Sequence, residues 1–314
     1  MERDRRNMPR GVRPFRYGGQ AVYEGVLIRG QKTLATAVRA STGAIAVDSR
    51  PISNLYNGKA RHTPFVRGII VLLETVVLGT RALMYSTNMA MGDEEEIPSG
   101  VVWGTVVLGL ALGVGLFFVA PLLIAKFLIF PYTSPFMGNV YEGLLRIAMF
   151  IAYIRLTRMM PDVRRIYAYH GAEHKVINAY EHGVELQVNE IKAFSTAHTR
   201  CGTSFLLIVM VVAILVYSLA GRPALWMTVL SRIVLLPVIV GIGYELVRVA
   251  ADHARSKAVR VLLAPGLALQ SLTTAEPGDD QLEVALTALK SALTADSSQP
   301  AEPAPLTPAP QTPQ

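Results

Sequence analysis

The sequence predicts a polytopic α-helical membrane protein. About four transmembrane helices and one interfacial or re-entrant helix follow a small β-rich N-terminal cytosolic unit. Three observations predict it. Of 314 residues, 51% are hydrophobic and only 17% charged, with mean hydropathy +0.36, which is a membrane composition and not a soluble one. Four stretches are long and apolar enough to cross a hydrocarbon core. Glycine-bracketed runs of β-type residues precede them.

The elements follow in order. Residues 1–16 form a basic arm, expected to be disordered, and the first seventeen residues carry six arginines. No apolar h-region follows, so the arm does not read as a signal peptide. It fits anionic lipid. Nucleic-acid binding is not expected, because no interleaved aromatics or recognisable module accompany it. Residues 17–62 read as the β-rich unit. Gly18 to Gly30 is a strand with tight turns, and 34–40 and 44–50 form a hairpin around Ser41-Thr42-Gly43. Within 63–97, residues 65–90 are apolar and helical. Arg67, Glu74 and Arg81 repeat every seven residues there and form one polar stripe, which favours an interfacial or re-entrant helix over a span. Asp93-Glu94-Glu95-Glu96 reads as a solvated acidic turn, and His62 and His253 as isolated residues.

Residues 98–251 hold the bundle, with spans expected at 101–125, 142–160, 203–221 and 224–246. The second is interrupted by Arg146, Arg155 and Arg158, and the fourth by Arg232 and Pro237. The link at 131–141 has no Lys or Arg, whereas the 161–202 loop has Arg164, Arg165, Lys175, Lys192 and Arg200. The positive-inside rule therefore puts that loop and both termini in the cytoplasm, at the inner membrane. Residues 252–294 form a cytosolic C-terminal segment. Asp280 and Glu283 make a capping box ahead of a helix with Leu282, Leu286, Leu289 and Leu293 on one face. Residues 295–314 are a Pro-rich tail expected to be disordered.

The 161–202 loop carries Tyr169-His170-Gly171-Ala172-Glu173-His174-Lys175, an H-x-x-E-H motif. On a helix, residues four apart share a face, so His170 and His174 can hold a divalent metal. Zinc is the ion these ligand types favour. Glu173 beside them is the candidate general base. The motif order is that of the inverzincin peptidases, which take a third ligand from a distant downstream Glu. Here His198, Cys201 and Glu245 are the candidate third ligands, all expected at one cytosolic mouth of the bundle. Arg200 or Arg248 can steady an anionic transition state. Glu24, in the glycine-bracketed N-terminal run, is the remaining candidate site residue. Cys201 is the single cysteine, so no intrachain disulfide forms.

Five runs carry a resemblance: GGQAVYEGVLIRG (18–30), YHGAEHKVINAYEHG (169–183), HTRCGTSF (198–205), PVIVGIGYELVR (237–248) and LTTAEPGDDQLEVAL (272–286). Together they resemble the YqhQ-like bacterial membrane family, a domain of unknown function regarded as a predicted metal-dependent enzyme. The resemblance covers roughly residues 15–292. It implies a polytopic membrane protein with a suspected metal site and no settled substrate.

The leading functional expectation is a metal-dependent, hydrolytic membrane enzyme with a cytosol-facing His/Glu site. A non-catalytic scaffold with a structural histidine cluster is the alternative. A transporter built on Arg232, Glu245 and Pro237 comes third. The expected partners are the lipid bilayer, an undefined substrate, and a second copy of the chain, since four spans alone make a poor transport path.

Overall fold

In the computed structural model of the protein, four short strands form an antiparallel meander: β1 (Gly18–Val22), β2 (Gly25–Arg29), β3 (Thr33–Arg39) and β4 (Ile45–Pro51), in the order β1-β2-β3-β4. The described residues are 15–53, 56, 58, 61, 63–92, 98–221, 224–253 and 256–298. The arm up to residue 14, His62, the acidic turn 93–96 and the tail after 298 lie outside them. The hairpin expected at Ser41-Thr42-Gly43 joins β3 to β4, with Gly43 at φ 84°, a conformation that suits glycine.

The helices are α1 (Val66–Met91), α2 (Ser99–Val114), which runs through a π-turn (Gly115–Val119) into α3 (Ala120–Leu128), α4 (Pro135–Thr157), α5 (Pro161–His182), α6 (Val188–Ile191), α7 (Gly202–Ala220), α8 (Leu225–Asp252), α9 (Lys257–Thr273) and α10 (Asp279–Ser298). Local chemistry sets several of their ends. Ser134 Oγ accepts from the Met137 N–H (3.3 Å) with Pro135 behind it, starting α4. Pro161 starts α5, and Gly183 at φ 71° ends it.

The sheet is covered on both faces because its side chains alternate. Val26, Ile28, Ala35 and Ala37 point into a core shared with Tyr169, Ala172 and Val176 of α5 and with Leu282, Leu286 and Leu289 of α10. Val22 and Leu27, on the other face, pack against Ala82 of α1. Three segments far apart in sequence therefore share one core.

Two expectations about α10 need correction. The capping interaction is made by Gln281, whose Oε1 accepts from the Gly278 N–H at 3.0 Å. Glu283 instead accepts from Arg39 at 2.8 Å. The helix also runs to Ser298 and does not stop at 294, because Asp296 docks on the β2–β3 turn. Its carboxylate accepts from Gln31 N (2.6 Å), Lys32 N (3.0 Å), Thr33 Oγ1 (2.9 Å) and Tyr17 Oη (3.0 Å).

Among the described residues, four helical segments are long and apolar enough to cross a membrane: Val66–Met91, Gly100–Leu128, Gly202–Ala220 and Trp226–Ala250. The number matches expectation, but one member differs. Residues 66–91 qualify because their seven-residue charge spacing leaves long apolar windows. Helix α4 does not, because Asn139, Glu142, Arg146 and Arg155 dilute it. Three of those four groups are turned inward: Asn139, Glu142 and Arg146 are buried. Asn139 Nδ2 donates to the carbonyls of Tyr217 and Gly221, both at 2.9 Å. Glu142 accepts from Arg146 (2.5 Å) and from Arg232 of α8 (2.6 Å). This buried cluster locks α4, α7 and α8 together.

Candidate metal centre

The H-x-x-E-H motif lies in the buried stretch of α5, so its side chains are positioned by packing. The His170 and His174 rings meet edge to face, with centroids 4.4 Å apart and planes at 64°. Gly171 between them allows the chain after α9 to lie against the helix. A Cβ there would fall on the Ala275 carbonyl, while the Ala275 N–H donates to Tyr167 O at 2.8 Å.

Each histidine is oriented through Nδ1. His170 Nδ1 meets Thr273 O at 2.9 Å, and His174 Nδ1 meets Thr196 O at 2.6 Å. A carbonyl can only accept, so Nδ1 carries the proton in both rings and each Nε2 of the neutral imidazole presents its lone pair. Cys201 is the N-cap residue of α7. Its Sγ lies 3.2 Å from His170 Nε2 and 2.9 Å from Thr203 Oγ1. Ligand atoms of His170, His174 and Cys201 all fall within 4.8 Å of one another, with His174 and Cys201 buried.

The other candidates stand elsewhere. His198 is buried at 7% exposure, with its ring 5.6 Å from that of His174. Its Nε2 has no hydrogen-bond partner and sits 3.6 Å from Glu181 Oε2. Burial pushes the His198 pKa down. Burial works to raise that of Glu181, but His198 and Arg200 together hold it at about 2. Arg200 is engaged in this way with Glu181 and does not face the donor cluster.

Glu173 turns toward β1, where it packs on Gly19, and is absent from the donor group. Burial pushes its pKa up to about 7, against the opposing pull of His170 and the Gly19 N–H. Its Oε2 has no partner. A glycine at position 19 is needed because a Cβ would strike Leu27 O and approach the Glu173 carboxyl carbon to 3.1 Å.

Glu245 is not brought to the cluster, which corrects its reading as a third ligand. Arg67 grips both of its oxygens, with Nε at 2.6 Å, and the Phe65 N–H adds a bond at 3.1 Å. Arg248 is exposed on α8. Glu24, at the β1–β2 turn with φ 51°, accepts from Arg165 and from Tyr169 Oη (3.1 Å).

Sequence reasoning missed the residues that hold the cluster in place. The carbonyls of Thr196 and Thr273 leave no sequence signal. Gln270 does leave one, as a polar residue inside the apolar run of α9. It is fully buried, pairs with both backbone groups of His198 (3.0 and 2.8 Å), and donates to Ser204 Oγ at 2.6 Å.

Comparison with known proteins gives a family without an activity. Residues 63–295 match the family described as "Protein of unknown function (DUF1385)". That match starts after the sheet, whereas the sequence resemblance began near residue 15. The "Uncharacterized protein YqhQ" of Bacillus subtilis (strain 168) is 33% identical over 298 residues, covering 87% of this chain and 91% of that protein. No solved structure matches. The family match spans well over half the chain and the Bacillus relative is similar nearly throughout, so the chain belongs to the DUF1385 family of proteins of unknown function.

Proposed function

We propose that this chain is a multi-pass inner-membrane protein with a divalent-metal centre on its cytoplasmic face. His170, His174 and Cys201 are the ligands, and zinc is the preferred ion. The observation that carries the reading is the pairing of donors with their supports. Two imidazoles and a thiol converge within 4.8 Å, and both imidazoles are anchored through Nδ1 to carbonyls, leaving Nε2 to ligate. Metal-bound histidines are held in this way, and nitrogen with sulfur is a donor set that suits zinc. The basic residues around α5 support the cytoplasmic side.

A hydrolytic enzyme acting on a peptide or lipid-linked substrate is the activity this centre serves best. Three protein ligands leave one position open, and a zinc ion there would supply Lewis-acid chemistry. Thr273 and Thr196 hold the imidazoles in register, and the apolar core behind Ala172 and Val176 excludes water from that side. Glu173 is the motif's carboxylate. To act as base it must turn from Gly19 toward the donors.

One observation favours the structural alternative. His198, buried beside His174 with its Nε2 3.6 Å from Glu181 Oε2, offers a fourth donor that would close the site if it turned from Glu181 to the cluster. Cobalt substitution separates the two readings. The visible spectrum of the cobalt protein is unchanged by His198→Ala if the fourth position is open, and shifts if His198 occupies it.

A further inference from the structure

Helix α1 qualifies by length and apolarity as a membrane span, yet its packing argues against crossing. The sheet, α5 and α10 share one core and so lie on one side of any bilayer. Three long helical segments separate β4 from α5: α1, α2–α3 and α4. To return to the same side, the chain must cross an even number of times between them. The α2–α3 segment is the most apolar of the four candidates. Helix α4 runs the full length of α7. Its Asn139 end caps the Gly221 end of α7, its Gly143 receives Ile214, and Arg158 just past its other end reaches Ser271 O beside the metal-centre face. Those two segments use both crossings, and none is left for α1.

The contacts of α1 agree. At its N-terminal end, Arg67 pairs with Glu245 and Gly68 packs on Tyr244, in the last turns of α8. In its middle, Glu74 accepts from Arg29 of β2 (2.8 Å). Further along, Gly79 receives Gln20 of β1 and Gly92 receives Ser41 of the β3–β4 turn. The positions that make these contacts, Arg67, Gly68, Glu74, Gly79 and Gly92, fall on one side of the helix, within about 140° of its circumference. Phe65 opens the helix at φ 64°, a strained conformation for a non-glycine residue, and the Glu245 carboxylate holds its N–H.

The opposite side of α1 is apolar and bare. Val66, Leu73, Leu83 and Met91 are 42%, 54%, 44% and 57% exposed, and at about 100° per residue they fall within one third of the circumference. The neighbouring α8 also exposes large apolar side chains, among them Ile233 (65%), Val234 (62%) and Val249 (57%), which the membrane reading gives to lipid. We infer that α1 is an in-plane membrane helix, lying on the cytoplasmic leaflet beneath the sheet with Leu73 and Leu83 in the acyl region. Apolar burial of this kind fixes interfacial helices. The inference rests on the membrane part of the proposed function and not on the metal.

The test uses the full chain in sealed vesicles. Pro98→Cys, on the exposed link after α1, Tyr132→Cys and Lys290→Cys are each labelled with a membrane-impermeant maleimide, and the wild type reports any reaction of Cys201. Pro98→Cys and Lys290→Cys are expected to label from one side and Tyr132→Cys from the other. Labelling of Pro98→Cys from the side opposite Lys290→Cys overturns the in-plane helix alone. All three labelling from one side overturns the membrane reading with it. Lipid contact is read in a Trp103→Phe/Trp226→Phe background. Leu73→Trp should be quenched by brominated lipid as strongly as Trp226 is in its own single-tryptophan variant. An unquenched Leu73→Trp overturns the lipid-facing surface, and crosslinking of Leu73→Cys chains would then identify a second copy as its cover.

Discussion

Replacing Asp296 with alanine should detach the end of α10 from the sheet. The carboxylate accepts four hydrogen bonds, two of them from the backbone N–H groups of Gln31 and Lys32 at the β2–β3 turn. A hydrogen bond to a charged acceptor contributes roughly 1.5–3 kcal/mol net. Four would give a far larger sum, but the donors regain water when the carboxylate is removed and the site is partly exposed, so solvent screening discounts it. A loss of about 2–4 kcal/mol follows. The linkage sign is definite. Burial alone would raise the pKa of Asp296, but the N–H groups of Lys32 and Gln31 and the hydroxyls of Thr33 and Tyr17 hold it below its ordinary value. A depressed carboxylate contributes its stability above the unfolded pKa of about 4 and loses it as pH falls further. The assay is amide hydrogen exchange of α10 and of the β2–β3 turn in detergent, with thermal unfolding in parallel. Faster exchange in the variant, and in the wild type as pH drops below 4 after correction for intrinsic rates, is the expected result. Exchange in α10 unchanged by Asp296→Ala would refute the docking argument.

Three other perturbations have definite outcomes. Glu142→Gln leaves Arg146 and Arg232 buried without their shared carboxylate. Removing one partner of a buried pair costs about 3–5 kcal/mol, which should appear as a lowered unfolding temperature in detergent. Gly171→Ala places a methyl group against the Ala275 carbonyl and displaces the Thr273 carbonyl from His170. Zinc affinity should fall about 10–100-fold, as when a carbonyl that orients a metal-binding imidazole is lost, measured by competition with a chromophoric chelator. Glu181, held at about 2 by His198 and Arg200, contributes stability that is complete above its unfolded pKa and is lost as pH falls from about 4.5 toward 2. Arg200→Ala should shrink that acid-side loss in pH-dependent thermal melts, and an unchanged acid limb would count against the ion pair.

What the sequence could show depended on how local each cause is. The β3–β4 hairpin was legible because Gly43 and its neighbours specify a turn by themselves. The leucine face of α10 and the helical setting of H-x-x-E-H were legible for the same reason, since a 3.6-residue period is a local property. Partners were not. Glu245 looked like a ligand until Arg67, 178 residues away in sequence, was seen to hold it. Asp296 looked like the start of a disordered tail because its donors lie some 265 residues earlier. The direction Glu173 takes was not legible because the motif fixes only its place on the helix. Gly19 makes the space into which Glu173 turns. Hydropathy alone admits α1 and not α4 as a span, the reverse of both the charge-stripe reading and the packing. Hydropathy counts charges, and only packing shows that Glu142 and Arg146 are turned inward.

The proposed centre is tested most directly by the metal content of detergent-purified protein, measured by elemental mass spectrometry after purification without chelators. The wild type and the His170→Ala/His174→Ala variant are compared at matched folding, checked by circular dichroism. The account predicts close to stoichiometric zinc in the wild type and its loss in the folded double variant. A metal-free wild type that also fails to bind added zinc would contradict it, leaving the His170–His174–Cys201 cluster as packing alone.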